Sequence, residues 1–520
     1  MIQLKNLVKD DLFKEKDKNR DFHKIREFFD LNEKEQYTID DITWNDLEMD
    51  KIYSNIDRTY SSAGESVLYS MLRNPLMNKE KIKSRENAIE NFKNNRKLII
   101  DIRCILFKLG FDKENMLLGM LNGMLTINKL KYYIYYFLGR ILPIVLVLLA
   151  IFLKDTRFMF AFMVVALINC GINRSEERVI QASGINYLRD LINVGKKISR
   201  IKDNSIEYYK NNIKGILKDI KNIDKGTLVI DIFNGFGGVF EFLAIPFLIE
   251  ESTYYKISTE IEKNKDKIYD LFYNIGQIDA LSSIAIYKLC NEDRICIPQF
   301  VDKKSLKIKS GIHPLLKKSV ANDIAIDSKG IVLTGTNMSG KSTFLRMVGA
   351  NILISQTFNF SFAKEYKAPF FNVVSSISPK DDIDNGKSYY MAEAESLLRI
   401  INSLEKDIPV FSLIDEIFRG TNPVERIASS AEILSYINKR DAIVIVATHD
   451  RELTDMLNNE YDFYYFSEDV NNKEGLTFDY KIKKGISKTK NAIRLLDYIG
   501  YPKEIIKNSY MRCKELEHYI

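Results

Sequence analysis

The sequence predicts a chain of two parts, a mostly helical region followed by an α/β domain. Three apolar runs, at 331–333, 410–414 and 442–447, alternate with helix patterns, which is the order of strand–helix–strand units around a parallel sheet. Before them, most of the stretch 61–290 carries apolar side chains at helical spacing. The predicted fold class is therefore α plus α/β, with a helical domain over 41–305 and the sheet domain over 306–520.

Composition excludes some classes of protein. The chain has 520 residues, 46% hydrophobic and 28% charged, so it can form a large core and is not a disordered chain. A net charge of +6 is only weak evidence for a nucleic-acid partner. The five cysteines lack metal-ligand spacing and fit a reducing compartment. The charged N-terminus does not resemble a secretory signal.

The first elements are predicted to be helices. The segment 1–40 forms a separate set of amphipathic helices, and acidic residues interspersed with the basic ones disfavour a nucleic-acid-binding arm. A turn-rich stretch from Asp41 leads to a helix that begins near Ser61 and ends before Pro75. Further helices are expected at 106–130, 175–200, 204–223 and 252–289, with a glycine-containing apolar stretch at 227–250.

Two apolar runs interrupt this helical region. Tyr132–Leu153 contains a single charged residue, Arg140, and the shorter run Phe158–Asn173 contains none. At about 1.5 Å per residue, the first run can cross a hydrocarbon core of about 30 Å, whereas the second is short. We favour a transmembrane hairpin over 132–173. The alternative is a helical hairpin buried in a large core.

The sheet domain begins with a phosphate-loop pattern. The sequence from Gly335 to Ser342 has the form G-x-x-x-x-G-K-S, and it lies between an apolar strand and a helix pattern. Backbone N–H groups of such a loop surround phosphate oxygens, the lysine reaches the β- and γ-phosphates, and the serine hydroxyl ligates magnesium. The predicted nucleotide-binding residues are Gly335, Thr336, Asn337, Met338, Ser339, Gly340, Lys341, Ser342 and Thr343.

Two later strands also end in polar residues. The run 410–414 is followed by Asp415, placed to hold magnesium together with Ser342, and by Glu416, placed to orient or deprotonate a water molecule. The run 442–447 is followed by Thr448 and His449, whose imidazole could contact the γ-phosphate or the attacking water. We predict Lys341, Glu416 and His449 as catalytic residues.

A further glycine–serine segment, 385–393, allows two interpretations. Gly386 and Ser388 precede a helix pattern, so they supply either phosphate donors or an ordinary helix cap.

Strand, loop and helix followed by a DE strand and a TH strand resemble the layout of ATP-binding-cassette domains. The segments GTNMSGKSTFLR, DDIDNGKSYYMAE, LIDEIFRGTNP and ATHDREL are together similar to the MutS family of DNA mismatch-repair ATPases. The similarity extends to 311–323, 480–506, 59–76 and 274–285. It implies that ATP and Mg²⁺ are the cofactors. It also implies a homodimer in which Ser388 acts in trans on the partner's nucleotide, with dimer contacts in 480–506.

The sequence departs from that family in three places. Only the short segment 1–40 precedes the helical core domain, where the family has its mismatch-reading and connector domains. Ser319 occupies the position before Val320 at which repair members place an aromatic residue against adenine. The apolar hairpin interrupts the core domain. We therefore expect no mismatch recognition, and weak DNA binding if any.

The predicted function is a dimeric ATPase that moves a helical lever domain and is anchored at the cytoplasmic face of the cell membrane. One alternative is a cytoplasmic, DNA-binding repair or recombination ATPase that recognises duplex or branched DNA. Another is the ATPase component of a membrane transport or assembly complex with an unknown protein partner. A nuclease is disfavoured, because no metal-binding cluster follows Ile506.

Overall fold

A computed structural model describes residues 2–14, 18–181, 184–235, 245–336, 339–377, 389–418, 422–471, 475–486 and 492–516. The fold is mixed α/β and mostly helical, as predicted. The chain forms two compact units. The helical unit comprises 1–33, 56–71 and 87–290, and the sheet unit comprises 34–55, 72–86 and 291–520.

Up to Cys290, the secondary structure of the described part is entirely helical. The first eight helices are α1 (Ile2–Asp11), α2 (Phe22–Leu31), α3 (Asp41–Asp46), α4 (Met49–Ile56), α5 (Ser62–Arg73), α6 (Lys79–Asn94), α7 (Arg96–Leu109) and α8 (Met116–Gly119). The next eight are α9 (Lys129–Tyr136), α10 (Leu142–Leu153), α11 (Thr156–Gln181), α12 (Ile185–Ile198), α13 (Glu207–Asp219), α14 (Lys221–Gly235), α15 (Ile249–Lys263) and α16 (Lys265–Cys290).

Three predicted helices are divided in the structure. The stretch 106–130 is interrupted after Leu109 because Gly110 has a φ of 62°, a conformation that glycine adopts without strain. Gly184, with a φ of 73°, separates α11 from α12 in the stretch predicted as 175–200. The stretch 252–289 forms α15 and α16, which meet at Asn264.

The core of the helical unit includes a close approach of α5 to α16. The buried Asp279 carboxylate accepts hydrogen bonds from Tyr60 N (3.0 Å) and Ser61 Oγ (2.7 Å). A Cβ atom at Gly64 would lie 2.2 Å from Asp279 Oδ2. A glycine is therefore required opposite this carboxylate, and burial raises the Asp279 pKa.

The apolar hairpin consists of α9, a π-helical turn (Phe137–Ile141), α10 and α11. Its two candidate membrane spans are Lys129–Leu153 and Thr156–Ile180, and only 11% and 6% of their most apolar windows are buried within the protein. Phe152, Phe160 and Leu167 are 79%, 71% and 72% exposed. A buried core hairpin does not have this exposure.

The described residues of the sheet unit form ten strands in two sheets. They are β1 (Gln299–Phe300), β2 (Leu306–Gly311), β3 (Asn322–Ile326), β4 (Gly330–Thr334), β5 (Glu365–Ala368), β6 (Asn372–Ser376), β7 (Val410–Asp415), β8 (Ala442–Ala447), β9 (Tyr461–Asn471) and β10 (Gly475–Lys484). The first sheet has the order β1-β5-β2-β3 and the second the order β10-β9-β4-β8-β7-β6. In the second sheet, β9, β4, β8, β7 and β6 run parallel.

Six further helices lie in the part of this unit that the structure describes. They are α17 (Lys341–Phe358), α18 (Tyr389–Ser403), α19 (Pro423–Asn438), α20 (Glu452–Met456), α21 (Ala492–Ile499) and α22 (Lys503–Leu516). One core cluster joins β7 and β8 to side chains from α18 and α19. The helix α17 is buried along most of its length. A Cβ atom at Gly349 would lie 2.6 Å from Leu413 Cδ1 and 2.7 Å from Leu47 Cδ2, so α17 packs between the sheet and the segment 34–55.

These units divide the chain differently from the predicted domain bounds of 1–40, 41–305 and 306–520. The segments 34–55 and 72–86 belong to the sheet unit, and the later boundary follows Cys290. The physical reason is a set of buried contacts. Asp46 Oδ2 accepts from Ser375 Oγ (2.7 Å) and Ile377 N (2.8 Å), and the Asp46 carbonyl accepts from Arg346 Nε (2.8 Å).

Candidate nucleotide-binding site

The loop after β4 has the backbone conformation that its glycines were predicted to allow. Gly335 has a φ of 143° and Gly340 a φ of 108°, and α17 begins at Lys341. A Cβ atom at Gly335 would lie 2.9 Å from the Phe466 carbonyl oxygen. Asn337 and Met338 lie outside the described residues. The loop therefore turns tightly from a buried strand into the N-terminus of a long helix, where the helix dipole favours an anion.

Lys341 lies inside this turn. Its side chain is largely buried, and Nζ donates to the carbonyl oxygens of Gly335 (2.8 Å) and Thr336 (3.0 Å). The same Nζ lies 3.3 Å from His449 Nε2. Nearby, the Ser339 Oγ atom is buried without a hydrogen-bond partner among the described residues. The loop therefore offers an ammonium group and an unsatisfied hydroxyl at one place.

The parallel strands β4, β8 and β7 bring the other predicted residues to this loop. Asp415 is in register with Ala447, and Leu333 pairs with the same residue from the other side. Ser342 Oγ donates a hydrogen bond to Asp415 Oδ2. His449 Nε2 lies 3.1 Å from Glu416 Oε1. Because the carboxyl ends of parallel strands share one edge, residues distant in sequence meet here.

The backbone at the end of β7 is unusual. Glu416 has a φ of 63° and Phe418 a φ of 57°, although neither is glycine. Glu416 N donates to the Ala447 carbonyl (2.8 Å), which holds the residue in this conformation. Non-glycine residues in the left-handed region cost about 1–3 kcal/mol and cluster at functional sites.

The oxygen ligands available at the loop fit a magnesium ion. Mg²⁺ prefers oxygen ligands and binds proteins through one or two side chains, with water and phosphate oxygens completing the octahedron. The Ser342 hydroxyl and the Asp415 carboxylate, which are in direct contact, supply such oxygens. These two residues would hold the ion, and a bound ion would neutralise phosphate charge.

A cavity of about 180 Å³ adjoins the loop. Thr343, Met347, Val320 and Ser319 are among the residues that line it, together with Tyr480. The Tyr480 ring lies 3.3 Å from the position of a Cβ on Gly340, and its backbone carbonyl accepts from Asn322 Nδ2 (3.0 Å). Apolar walls and aromatic rings, which Phe344 and Phe466 also contribute, suit a flat heterocycle.

Tyr480 was not predicted from the sequence. It is one of 28 tyrosines, and although it begins the family-like segment 480–506, no motif there marks it as a nucleotide contact. The sequence did identify Ser319 as lacking the expected aromatic ring, and Ser319 does line the cavity, where its Oγ accepts from His313 N (3.0 Å). An aromatic side chain is nevertheless present, contributed by β10.

Ser388, predicted to act in trans, lies outside the described residues, as does the rest of 378–388. The described chain resumes at α18, which begins at Tyr389.

The fold and the converging side chains define a P-loop α/β protein of the nucleotide-binding class. Family comparison is more specific: the model of MutS domain V matches residues 331–517, and the model of MutS domain III matches residues 38–285. The chain belongs to the MutS family, which confirms the resemblance seen in the motifs.

Individual relatives agree with this assignment. The DNA mismatch repair protein MutS of Prochlorococcus marinus (strain AS9601) is 27% identical over 527 residues, covering 89% of this chain and 57% of that protein. The MutS proteins of Petrotoga mobilis and Fusobacterium nucleatum are 31% and 30% identical, each over 52% of this chain and over 34% and 31% of their own lengths. The chain thus spans between about a third and just over half of these curated relatives.

Proposed function

We propose that this protein binds and hydrolyses ATP with Mg²⁺ as a dimer, and that the cycle moves its helical unit at a membrane. The observation that carries the ATPase proposal is the meeting of Lys341, Ser342, Asp415, Glu416 and His449 at one sheet edge. Members of the MutS family are ATPases, which supports the same conclusion.

The geometry suggests how the residues act. The triphosphate lies along the N-terminus of α17, where Lys341 Nζ exchanges its loop carbonyls for β- and γ-phosphate oxygens. Glu416 accepts a proton from the attacking water, and His449, 3.1 Å from Glu416 Oε1, contacts the water or the γ-phosphate. The adenine base of ATP occupies the adjoining cavity against Tyr480.

The dimer proposal rests on the family resemblance, which implies that Ser388 acts in trans on the partner's nucleotide. If Ser388 completes the partner's site, Lys341→Ala and Ser388→Ala proteins should each be nearly inactive. Mixing them should restore up to about a quarter of wild-type turnover, because half of the dimers then hold one intact composite site. Lys439→Ala, an exposed change on the sheet unit, should behave as wild type. No recovery after demonstrated subunit exchange would contradict the shared site.

Movement of the helical unit is proposed from chain connectivity. The chain crosses between the two compact units at 33/34, 55/56, 71/72, 86/87 and 290/291. The crossing at 55/56 lies in the last turn of α4, the helix after α3. Asp46 of α3 is bonded both to Arg346 of α17 and to Ile377, the last described residue before 378–388. A nucleotide-dependent shift of α17 or of Ile377 would be transmitted through Asp46 to the chain segment that enters the helical unit.

The membrane proposal is supported by the hairpin. Its apolar side chains are exposed, and its base is fixed to the helical unit by polar contacts. Glu176 accepts from Lys131 Nζ, Tyr135 Oη and Tyr255 Oη, each at 2.7 Å. Asn169 Nδ2 donates to the carbonyls of Leu138 (3.0 Å) and Pro246 (2.6 Å). An apolar arm held in this way suits insertion into a bilayer from the cytoplasmic face, where ATP is available.

DNA binding is the second candidate function, because the relatives are named as DNA mismatch repair proteins. Binding through phosphate contacts alone would fall steeply with salt and would not distinguish mismatched from matched duplex. Titration of both duplexes at two salt concentrations tests this candidate. A preference for the mismatch near physiological salt would contradict our expectation.

A further inference from the structure

A groove lies at the base of the apolar hairpin, entirely within the helical unit. It has a volume of about 620 Å³ and is formed by α9, α14 and α15. Both α9 and α14 pack on α15, which therefore forms the floor between two walls. The approach of α14 to α15 is close, since a Cβ atom at Gly226 would lie 2.2 Å from Ile257 Cγ2.

The orientation of α9 fixes which of its residues face the groove. Lys131 and Tyr135 are bonded to Glu176 on one side of the helix. The residues that line the groove recur at helical spacing on another side, namely Lys129, Tyr132, Tyr133, Tyr136 and Arg140. The contacts of Lys131 and Tyr135 with Glu176 therefore orient α9 so that its tyrosines and cations face the groove.

The groove is rich in positive charge. Lys129, Arg140, Lys225 and Lys256 line it, and none of the four has an ion pair among the described residues. One carboxylate, Glu260, also lines it, but Glu260 Oε1 accepts from Lys263 Nζ at 3.0 Å. Four cations that converge without acceptors indicate a site for an anion.

Arg140 gives a second indication of a ligand. Its Nε atom is buried and has no hydrogen-bond acceptor in the part of the chain that the structure describes. The guanidinium carbon lies 5.4 Å from the centre of the Tyr136 ring. Arg140 belongs to the π-helical turn, and a Cβ atom on its neighbour Gly139 would lie 2.1 Å from the Phe247 carbonyl oxygen, so the turn is packed tightly in place. A buried donor without an acceptor is unfavourable, and an anion bound beside Arg140 would supply the missing acceptor.

We propose that this groove binds the phosphate-bearing headgroup of an anionic phospholipid. The proposal rests on the membrane function proposed above. Basic pockets between membrane helices on the cytoplasmic side bind such headgroups, and tyrosines are enriched at that depth. Beyond the groove, α9 continues into exposed apolar residues, including Phe137, Ile141 and Ile144. A lipid is therefore favoured over free phosphate, because acyl chains would cover the apolar surface beside the headgroup site.

The test uses the full chain purified in detergent, with native mass spectrometry of bound phosphatidylglycerol and phosphatidylcholine. Wild-type protein should retain phosphatidylglycerol preferentially. The triple variant Lys129→Gln, Lys225→Gln, Lys256→Gln should lose that preference by about tenfold or more. A matched variant, Lys202→Gln, Lys214→Gln, Lys218→Gln, removes three exposed charges elsewhere in the helical unit and should bind as wild type. The corresponding Lys→Arg groove variant should retain binding, which controls for misfolding.

Each other outcome has a distinct meaning. Equal retention of phosphatidylglycerol by the groove variant and the matched variant would overturn the proposal. Displacement of the lipid by millimolar inorganic phosphate would also overturn it, and would make the groove a site for a soluble anion. If the wild-type chain does not sediment with membranes after carbonate washing, the membrane function itself fails. That failure is seen before any lipid is compared.

Discussion

At the scale of single residues, the end of β7 holds two carboxylates, Asp415 and Glu416, to which separate chemical roles are assigned. Glu416 is held at a φ of 63° with its carboxylate 3.1 Å from His449, whereas its neighbour Asp415 contacts Ser342. These two adjacent carboxylates thus face different partners. The Glu416 carboxylate is placed to accept a proton, and the Asp415 carboxylate is placed to hold a metal ion.

Glu416→Gln should bind ATP normally and hydrolyse it at least about 10²-fold more slowly, because the amide cannot accept the proton from water. Isothermal titration and single-turnover phosphate release measure the two quantities separately. Glu432→Gln, an exposed change on α19, should leave both unchanged. Wild-type turnover in Glu416→Gln would exclude this residue as the base.

His313 is predicted to respond to pH. Burial lowers its pKa to about 4, since the imidazolium loses hydration; Glu48 opposes the shift and Arg346 adds to it. The unfolded chain binds a proton near pH 6.5 and the folded chain does not, so stability is full above pH 6.5 and falls as pH drops toward 4. The loss between pH 7 and pH 5 should be about 2 kcal/mol.

Histidine NMR and melting curves test this statement. The sequence has four histidines, so His313→Gln assigns the signal by its disappearance. The variant should show a flatter dependence of melting temperature on pH between 7 and 5. A titration midpoint near 6.5 for His313 would refute the buried, neutral state.

At the scale of elements, the short helix α3 links the phosphate-loop helix to β6. Asp46→Ala would leave the Ile377 N–H and the Ser375 hydroxyl without their acceptor in a buried place. We expect a loss of about 1–3 kcal/mol in stability and reduced ATP turnover. Asp302→Ala removes an exposed ion pair with Lys79 in the same unit and should cost about 1 kcal/mol or less.

Denaturant unfolding, followed by the fluorescence of the single tryptophan, Trp44, reports on this helix directly. Equal destabilisation by the two aspartate variants would show that α3 does not anchor β6.

The elements show why part of the site could be predicted and part could not. Apolar runs ending in Asp415, Glu416 and His449 identify strands, and parallel strands bring their ends together, so these residues were predictable from local patterns. Tyr480 and Asp46 were not, because their roles arise from contacts between segments far apart in sequence. Asp46 lies 329 residues from Ser375, and no periodicity encodes such a contact.

At the scale of the whole molecule, the exposed apolar hairpin predicts that the protein associates with a membrane. We expect the full chain to resist carbonate extraction, because most of the apolar surface of 129–180 lacks protein contacts. The segment 141–168 can be replaced by a short Gly-Ser linker, since Asn169 Nδ2 already lies 3.0 Å from the Leu138 carbonyl. This deletion keeps Lys131, Tyr135 and Glu176 and should give a soluble protein that still hydrolyses ATP.

A substitution variant separates exposure from burial without shortening the chain. Ile144→Asp, Phe152→Asp, Phe160→Asp and Leu167→Asp place charges on positions that are 53–79% exposed. An aspartate at the centre of a membrane-spanning helix costs about 2.5–3.5 kcal/mol for insertion, so the four together should remove the variant from the membrane fraction. An exposed arm tolerates these charges, and the variant should remain folded by circular dichroism. If instead wild type is soluble without detergent while both the deletion and the substitution unfold the protein, the hairpin is core and the membrane proposal is wrong.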